Sequence, residues 1–106
     1  KASECVSIAG GAKTFITETA ASEGITVPSI TAAETGNYTA PVSTENCGAV
    51  SVAAGGAITI PVTIPDFDGD ALVFTPTQAS TSDNVQWVCT ATGSADNNQL
   101  PAECRP

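Results

Sequence analysis

The chain closes with VQWVCTATGSADNNQLPAECRP, residues 85–106. An apolar-rich run of alternating character leads into Cys89, a polar segment follows, and Cys104 stands two residues before the last position. The stretch reads as a strand, a loop, and a cysteine that returns to the strand, forming a disulfide-closed terminal loop. Fifteen positions separate the two cysteines, so a bond between them removes about 3 kcal/mol of loop-closure freedom from the unfolded chain. It also pins a C-terminus that would otherwise fray. The alternative is two unrelated thiols. Composition favours the bond, because the 106 residues contain four cysteines and no histidine. With no Cys-x-x-Cys spacing, they suit disulfides better than a zinc site, which needs clustered Cys or His. The implied compartment is oxidising.

Upstream of this stretch the sequence repeats the same grammar. After Cys47-Gly48 come four strand-like runs, Ala49–Ala53, Ala57–Ile64, Ala71–Thr77 and Val85–Thr90. They are separated by Gly55-Gly56, by Asp66-Phe67-Asp68-Gly69-Asp70 and by Ser80–Asn84, all good turn formers. In ITIPVTI, Ile58, Ile60, Val62 and Ile64 alternate with Thr59, Pro61 and Thr63, the period of a strand buried on one face. Pro61 donates no ladder hydrogen bond, so it belongs at a bulge, at an edge, or with its nitrogen turned from a partner. Phe74 and Trp87 fall at apolar parity and read as core rather than as ligand-stacking platforms. Four consecutive strands on short turns predict an antiparallel meander with one dry face.

The cover for that face comes from the N-terminal segment. From Ala2 to about residue 23, Cys5, Ile8 or Ala9, Ala12, Phe15 or Ile16, and Ala20 recur at three-to-four-residue steps, which predicts an amphipathic helix. Gly10 and Gly11 each cost about 1 kcal/mol there relative to Ala, and Gly24 is a plausible stop. No convincing cap opens the segment, no methionine occurs in the chain and residue 1 is Lys. These features predict a processed or excised form whose helix continues upstream. Residues 25–46 hold Pro28, Gly36, Asn37, Pro41 and many Ser and Thr without a sustained period, reading as a long surface connection that carries contacts or hides a short turn or strand. Asn37-Tyr38-Thr39 matches the N-glycosylation pattern, a short match that also arises by chance. The class is therefore α+β, an N-terminal helix packed on a four-stranded antiparallel meander, in one domain.

Charge and residue types exclude several functions. The net charge is −8, with only Lys1, Lys13 and Arg105 positive. Phosphate contacts come mainly from Lys and Arg, so direct nucleic-acid binding by this surface is not expected. No run of eighteen apolar residues would span a bilayer. Without histidine the ordinary acid–base and nucleophile assignments fail. Carboxylates such as Glu18, Glu34 and Asp83 read as a solvated acidic surface, and no catalytic or cofactor-binding residue is assigned. Asp66, Asp68 and Asp70 could gather oxygen ligands around calcium. Gly69, however, is fourth in the motif where an EF-hand loop requires its glycine sixth, and a structural turn is the preferred reading over a metal site.

An opening Ala2-Ser3-Glu4 helix, a variable loop, the strands ALVFTPT and VQWVCTATG, and a closing LPAEC together resemble type IV pilins of the type IVa class, over the whole chain. The specific part is the order: ALVFTPT, a short turn, an apolar-Trp-apolar-Cys strand, and a loop ending in Leu100-Pro101 and Cys104. The resemblance implies a single headgroup domain over residues 1–106. Within it the helix is about 2–23, the αβ-loop about 25–46, the sheet about 49–90, and Cys89–Cys104 bounds the D-region at 89–104. The implied interaction surface is Tyr38 of the loop together with Ser94, Asp96, Asn97, Asn98 and Gln99 of the D-region. The pair Cys5 and Cys47 departs from the simplest members, and parity suggests a second bond between them.

The resemblance further implies a structural subunit of a bacterial pilus with no enzymatic activity and no cofactor. Its partners would be other pilin subunits, the inner membrane before assembly, and a surface receptor. An apolar half-helix preceding residue 1 would anchor the headgroup on the periplasmic side, then drive polymerisation into an extracellular filament used for motility, adhesion or DNA uptake. A pseudopilin of a type II secretion system shares the fold. Its major class, however, commonly replaces the C-terminal disulfide with a calcium-bound loop, so Cys89 and Cys104 favour the pilin. A free-standing adhesin or binding module would need an exposed aromatic platform, and aromatics make up only 5% of the chain.

Overall fold

The structure is a computed structural model that describes residues 2–31, 33, 38, 46–63, 69–93 and 104. The helix α1 (Ala2–Glu23) is followed by a 3-10 turn at Val27–Ser29. Four strands follow: β1 (Ser51–Val52), β2 (Ile58–Pro61), β3 (Gly69–Thr77) and β4 (Gln86–Gly93). They form one antiparallel sheet in the order β1-β2-β3-β4, so the α+β meander expected from the alternation is what the chain builds.

The helix buries a narrow seam of Cys5, Ala9, Ala12, Ile16 and Ala20, spaced by three or four residues as one helix face requires. The two ambiguities of the periodicity resolve toward Ala9 over Ile8 and Ile16 over Phe15, and Ile8 and Phe15 pack at the margin. Apart from Ile16 the seam is small, so the large side chains come from the sheet. Ile58, Ile60, Leu72 and Phe74 are fully buried beneath it, large against small, as close packing favours. Truncating Phe74 to Ala in such a site costs about 3–5 kcal/mol. Gly10 and Gly11 meet nothing that an added Cβ would touch, so the core does not require them.

Each strand alternates as the pleat demands. Leu72, Phe74 and Pro76 of β3 face the core while Thr75 and Thr77 face solvent. In β4 Cys89 is buried opposite Phe74, and Val88 on the other face is 52% exposed. The bounds differ from the sequence expectation at the first two strands, which shorten from Ala49–Ala53 to Ser51–Val52 and from Ala57–Ile64 to Ile58–Pro61, and at the last, which runs on to Gly93. For the first strand Pro61 supplies a reason. Its carbonyl accepts the Gly48 N–H at 2.8 Å, and because N and O of a strand residue face the same neighbour, its donorless nitrogen faces Gly48 as well. One bond of that pair is missing, and the edge carries only an isolated bridge, Cys47 to Val62. Gly48 also provides room for the ring, since a Cβ there would lie 2.9 Å from the Pro61 Cβ. Between β3 and β4 the register shifts between Gly69 and Leu72. There the Thr92 hydroxyl accepts the Ala71 N–H at 3.0 Å, satisfying a donor that the bulge takes off the ladder.

The connection after α1 is not wholly a surface segment. Val27 and Ile30 are buried in the same core as the helix and sheet, so the segment begins with a turn docked on the domain, one of the two outcomes that its length suggests.

Candidate interaction surface

Two disulfides shape the molecule. Cys5–Cys47, with Cα atoms 5.7 Å apart, joins the first turns of α1 to the sheet edge across 42 positions. Both cysteines are fully buried. Beside the bond the Asn46 side-chain amide donates to the Glu4 carboxylate at 3.1 Å. Cys89–Cys104, with Cα atoms 4.6 Å apart, holds Cys104 against the middle of β4. The terminal staple and the second pairing suggested by parity both form. Of the surface residues that the sequence nominates, Ser94, Asp96, Asn97, Asn98 and Gln99 lie outside the described residues, as do Asp66 and Asp68 of the acidic turn and the Asn37 and Thr39 positions. Among the described residues no three His, Cys, Asp or Glu side chains gather as they would around a metal ion.

Tyr38 is described, and it is half-buried rather than projecting from its loop. Its ring lies 5.2 Å from that of Phe15 on α1, tilted by 51°, within the range in which aromatic pairs attract. Burial raises the phenol above its ordinary value, because desolvation disfavours the phenolate. Phe74 is core as expected, whereas Trp87 is half-buried. Lys13, the one cation among the described residues, places its Nζ 4.5 Å from the Phe74 ring centroid and 5.7 Å from that of Trp87. The aliphatic stem thus covers the edge of the core while the charge sits against the aromatic rings.

Sequence reasoning missed a concavity of the described surface. The C-terminal end of α1, the 3-10 turn and the β3–β4 turn enclose a groove of about 420 Å³, lined by Ala20, Gly24, Gln78, Thr81, Asp83 and Asn84 among others. Its walls follow from local rules. Gly24, with φ +70°, ends the helix in a Schellman motif: its N–H donates to Ala21 O at 3.2 Å, and the Ile25 N–H donates to Ala20 O at 3.0 Å. Gln78 then ties the walls together. Its Oε1 accepts the Val27 N–H at 2.8 Å, and its Nε2 donates to Asp83 O at 3.0 Å. Gly56, with φ +82°, sits where a Cβ would come within 2.9 Å of Val27 Cγ1 and 3.0 Å of Pro76 Cγ, so only glycine lets the turn seat. Glutamine just after a strand carries no local signal of this role, because its partners lie elsewhere in the chain.

Chemically the surface offers packing, hydrogen bonding and negative charge. No helix among the described residues is long and apolar enough to cross a membrane. A family model described as pilin, of the bacterial filament, matches residues 1–105. No curated protein and no solved structure matches the chain. The family match spans nearly the whole sequence, and the chain belongs to the pilin family, whose members are structural subunits of bacterial filaments.

Proposed function

We propose, from its membership of the pilin family, that the chain is the headgroup domain of a type IV pilin of the type IVa class, a non-enzymatic subunit that assembles with copies of itself into an extracellular pilus. The observation that carries this reading is the architecture. A helix with a small-residue seam lies on a four-stranded antiparallel meander, and the last strand is stapled to the C-terminal segment by Cys89–Cys104. In this reading residues 25–46 form the αβ-loop and residues 89–104 the D-region. An apolar helix preceding residue 1 anchors the subunit in the inner membrane and then supplies most of the assembly energy. Burying each large apolar side chain contributes about 1.5–3 kcal/mol, whereas headgroups of net charge −8 repel one another. The filament serves motility, adhesion to a surface receptor or DNA uptake.

The Cys89–Cys104 bond favours this reading over a pseudopilin. The position of Trp87, half-buried with Lys13 over it, does not offer the aromatic platform of a free-standing binding module. Electron microscopy of cells carrying or lacking the gene, with antibody against this domain, tests the proposal. Labelled filaments present only with the gene are expected. A labelled protein that stays in the envelope, with no filament on any cell, would sink it. Purified residues 1–106 alone are expected to sediment as monomers.

A further inference from the structure

We infer that the outer face of the sheet, the one turned away from α1, docks against the same face of a second copy of this chain. The inference goes beyond the filament reading and stands or falls apart from it. Charge leads to it first. The chain carries −8, yet none of the outward sheet positions whose burial is described bears a charge. Thr59 of β2, Val73 and Thr75 of β3, and Val88 and Thr90 of β4 make up the centre of this face. The described carboxylate side chains lie instead on α1, at Glu4, Glu18 and Glu23, and in the β3–β4 turn, at Asp83. Because α1 covers the opposite face, two acidic copies that meet sheet to sheet present each other no described carboxylate. Stacked sheets lie about 10 Å apart, and each helix stands behind its own sheet. The α1 charges are thus held beyond the roughly 8 Å over which salt at physiological strength screens them.

The pattern of the face leads to it second. Thr75 pairs with Val88, and Val73 pairs with Thr90 and Thr59, so at the centre valine and threonine alternate both across the strands and along them. A hydroxyl both donates and accepts, and a methyl packs on a methyl. Such a face complements its own copy in a two-fold contact, where a fixed charge would not. The groups are available for it. Val88 is 52% exposed, and the Thr75 and Thr90 hydroxyls take no partner among the described residues, whereas those of Thr77 and Thr92 donate to the Gln86 and Ala71 carbonyls. The size of the face sets the strength. At about 3.4 Å per residue and about 4.8 Å per strand, β2 to β4 offer on the order of 400 Å², against roughly 800 Å² per partner in a stable complex. The contact is therefore weak, with a dissociation constant of about a millimolar, and leaves the chain monomeric at micromolar concentration.

Self-association of the 106-residue chain tests the contact. Amide resonances are followed from micromolar to millimolar concentration, and concentration-dependent shifts are expected at the outward positions of β3 and β4 and not on α1. Added salt should strengthen the association, because it screens the repulsion between copies that each carry −8, whereas a contact made by ion pairs would weaken. Val88→Glu sets a carboxylate at the centre of both faces and is expected to lower the self-affinity at least about tenfold, since like charges then meet. Thr75→Glu should do the same, and it serves alone if the first variant does not fold. Both positions are exposed, so melting temperatures should move no more than surface substitutions do. Constant spectra up to millimolar concentration, shifts centred on α1 or on the groove, or undiminished association of either folded variant would each overturn the inference. So would retention of the chain on microcrystalline cellulose, lost in Val88→Glu, without self-association, which would give the face to a neutral polysaccharide. None of these outcomes bears on the filament reading, which labelled filaments on cells with and without the gene decide separately.

Discussion

The two ends of α1 are fastened to the sheet by opposite means. At the N-terminal end a covalent bond, Cys5–Cys47, does the work within a core from which both cysteines exclude water. At the C-terminal end there is no covalent bond. A glycine-terminated helix, a docked 3-10 turn and the Gln78 amide hold the position through hydrogen bonds and close packing. The disulfide acts mainly on the unfolded chain by closing a long loop, so its effect is large and insensitive to small shifts nearby. The hydrogen-bonded end acts on the folded state, where each donor and each ångström counts. The same difference leaves the concavity at the second end. A covalent staple draws two segments together until they pack, whereas a bridge the length of a glutamine side chain holds them apart.

The comparison breaks first, if it breaks, at the disulfide. Replacing Cys5 and Cys47 together with Ala is expected to cost about 4 kcal/mol by loop length, lowering the melting temperature by more than about 15 °C. Thermal unfolding followed by circular dichroism measures this. A loss no greater than that of a surface substitution would mean that hydrogen bonding alone suffices at both ends.

Next come the two glycines of the other end. Gly56→Ala combines a left-handed backbone with a clash against Val27, for about 2–4 kcal/mol. Gly24→Ala, with similar φ but nothing within 4 Å, costs about 1–2 kcal/mol. Denaturant midpoints separate them, and equal costs would show that backbone conformation, not space, decides.

A smaller effect sharpens the role of the bridge. Gln78→Leu leaves the N–H of buried Val27 without its acceptor, for about 1–3 kcal/mol. Gln78→Glu keeps that acceptor and should lose less. Amide exchange should rise at Val27 in the first variant, and no rise would remove Gln78 from the account.

The smallest effect is electrostatic. Burial beside Phe15 raises the phenol of Tyr38, the sole tyrosine, above its ordinary value of 10.0. The folded state therefore holds its proton longer than the unfolded one. The associated stabilisation is complete below the unfolded value and is lost as pH rises through the folded one. Phenolate absorbance of the folded domain should appear at higher pH than in denaturant, and coincident curves would detach Tyr38 from the helix.

Much of this architecture was legible beforehand, and for local reasons. The alternation in Ile58–Ile64 marked one dry face because successive side chains of a strand point oppositely. Gly24 marked the helix stop because a left-handed residue ends α1 there. Four cysteines in an oxidising context announced staples. The resemblance to pilins lay in the order of strand, turn, Trp-containing strand and closing cysteine, which no single motif carried, and the family match over residues 1–105 bears it out.

What the residues alone left open had a common cause. Adjacent apolar positions on a helix, such as Ile8 and Ala9, differ by only about 100° of rotation, and the sheet decided that the smaller ones face inward. Pro61 could have occupied several places, and its pairing with Gly48 settled where the edge strand weakens. Val27 and Gln78 are 51 positions apart, and neither advertises the other. Periodicity and turn chemistry are written in backbone geometry over a few residues, so the sequence by itself determined the helix, the meander and the staples. The groove, the seating of the 3-10 turn and the choice of helix face depend on which distant surfaces meet, and only tertiary packing decided them.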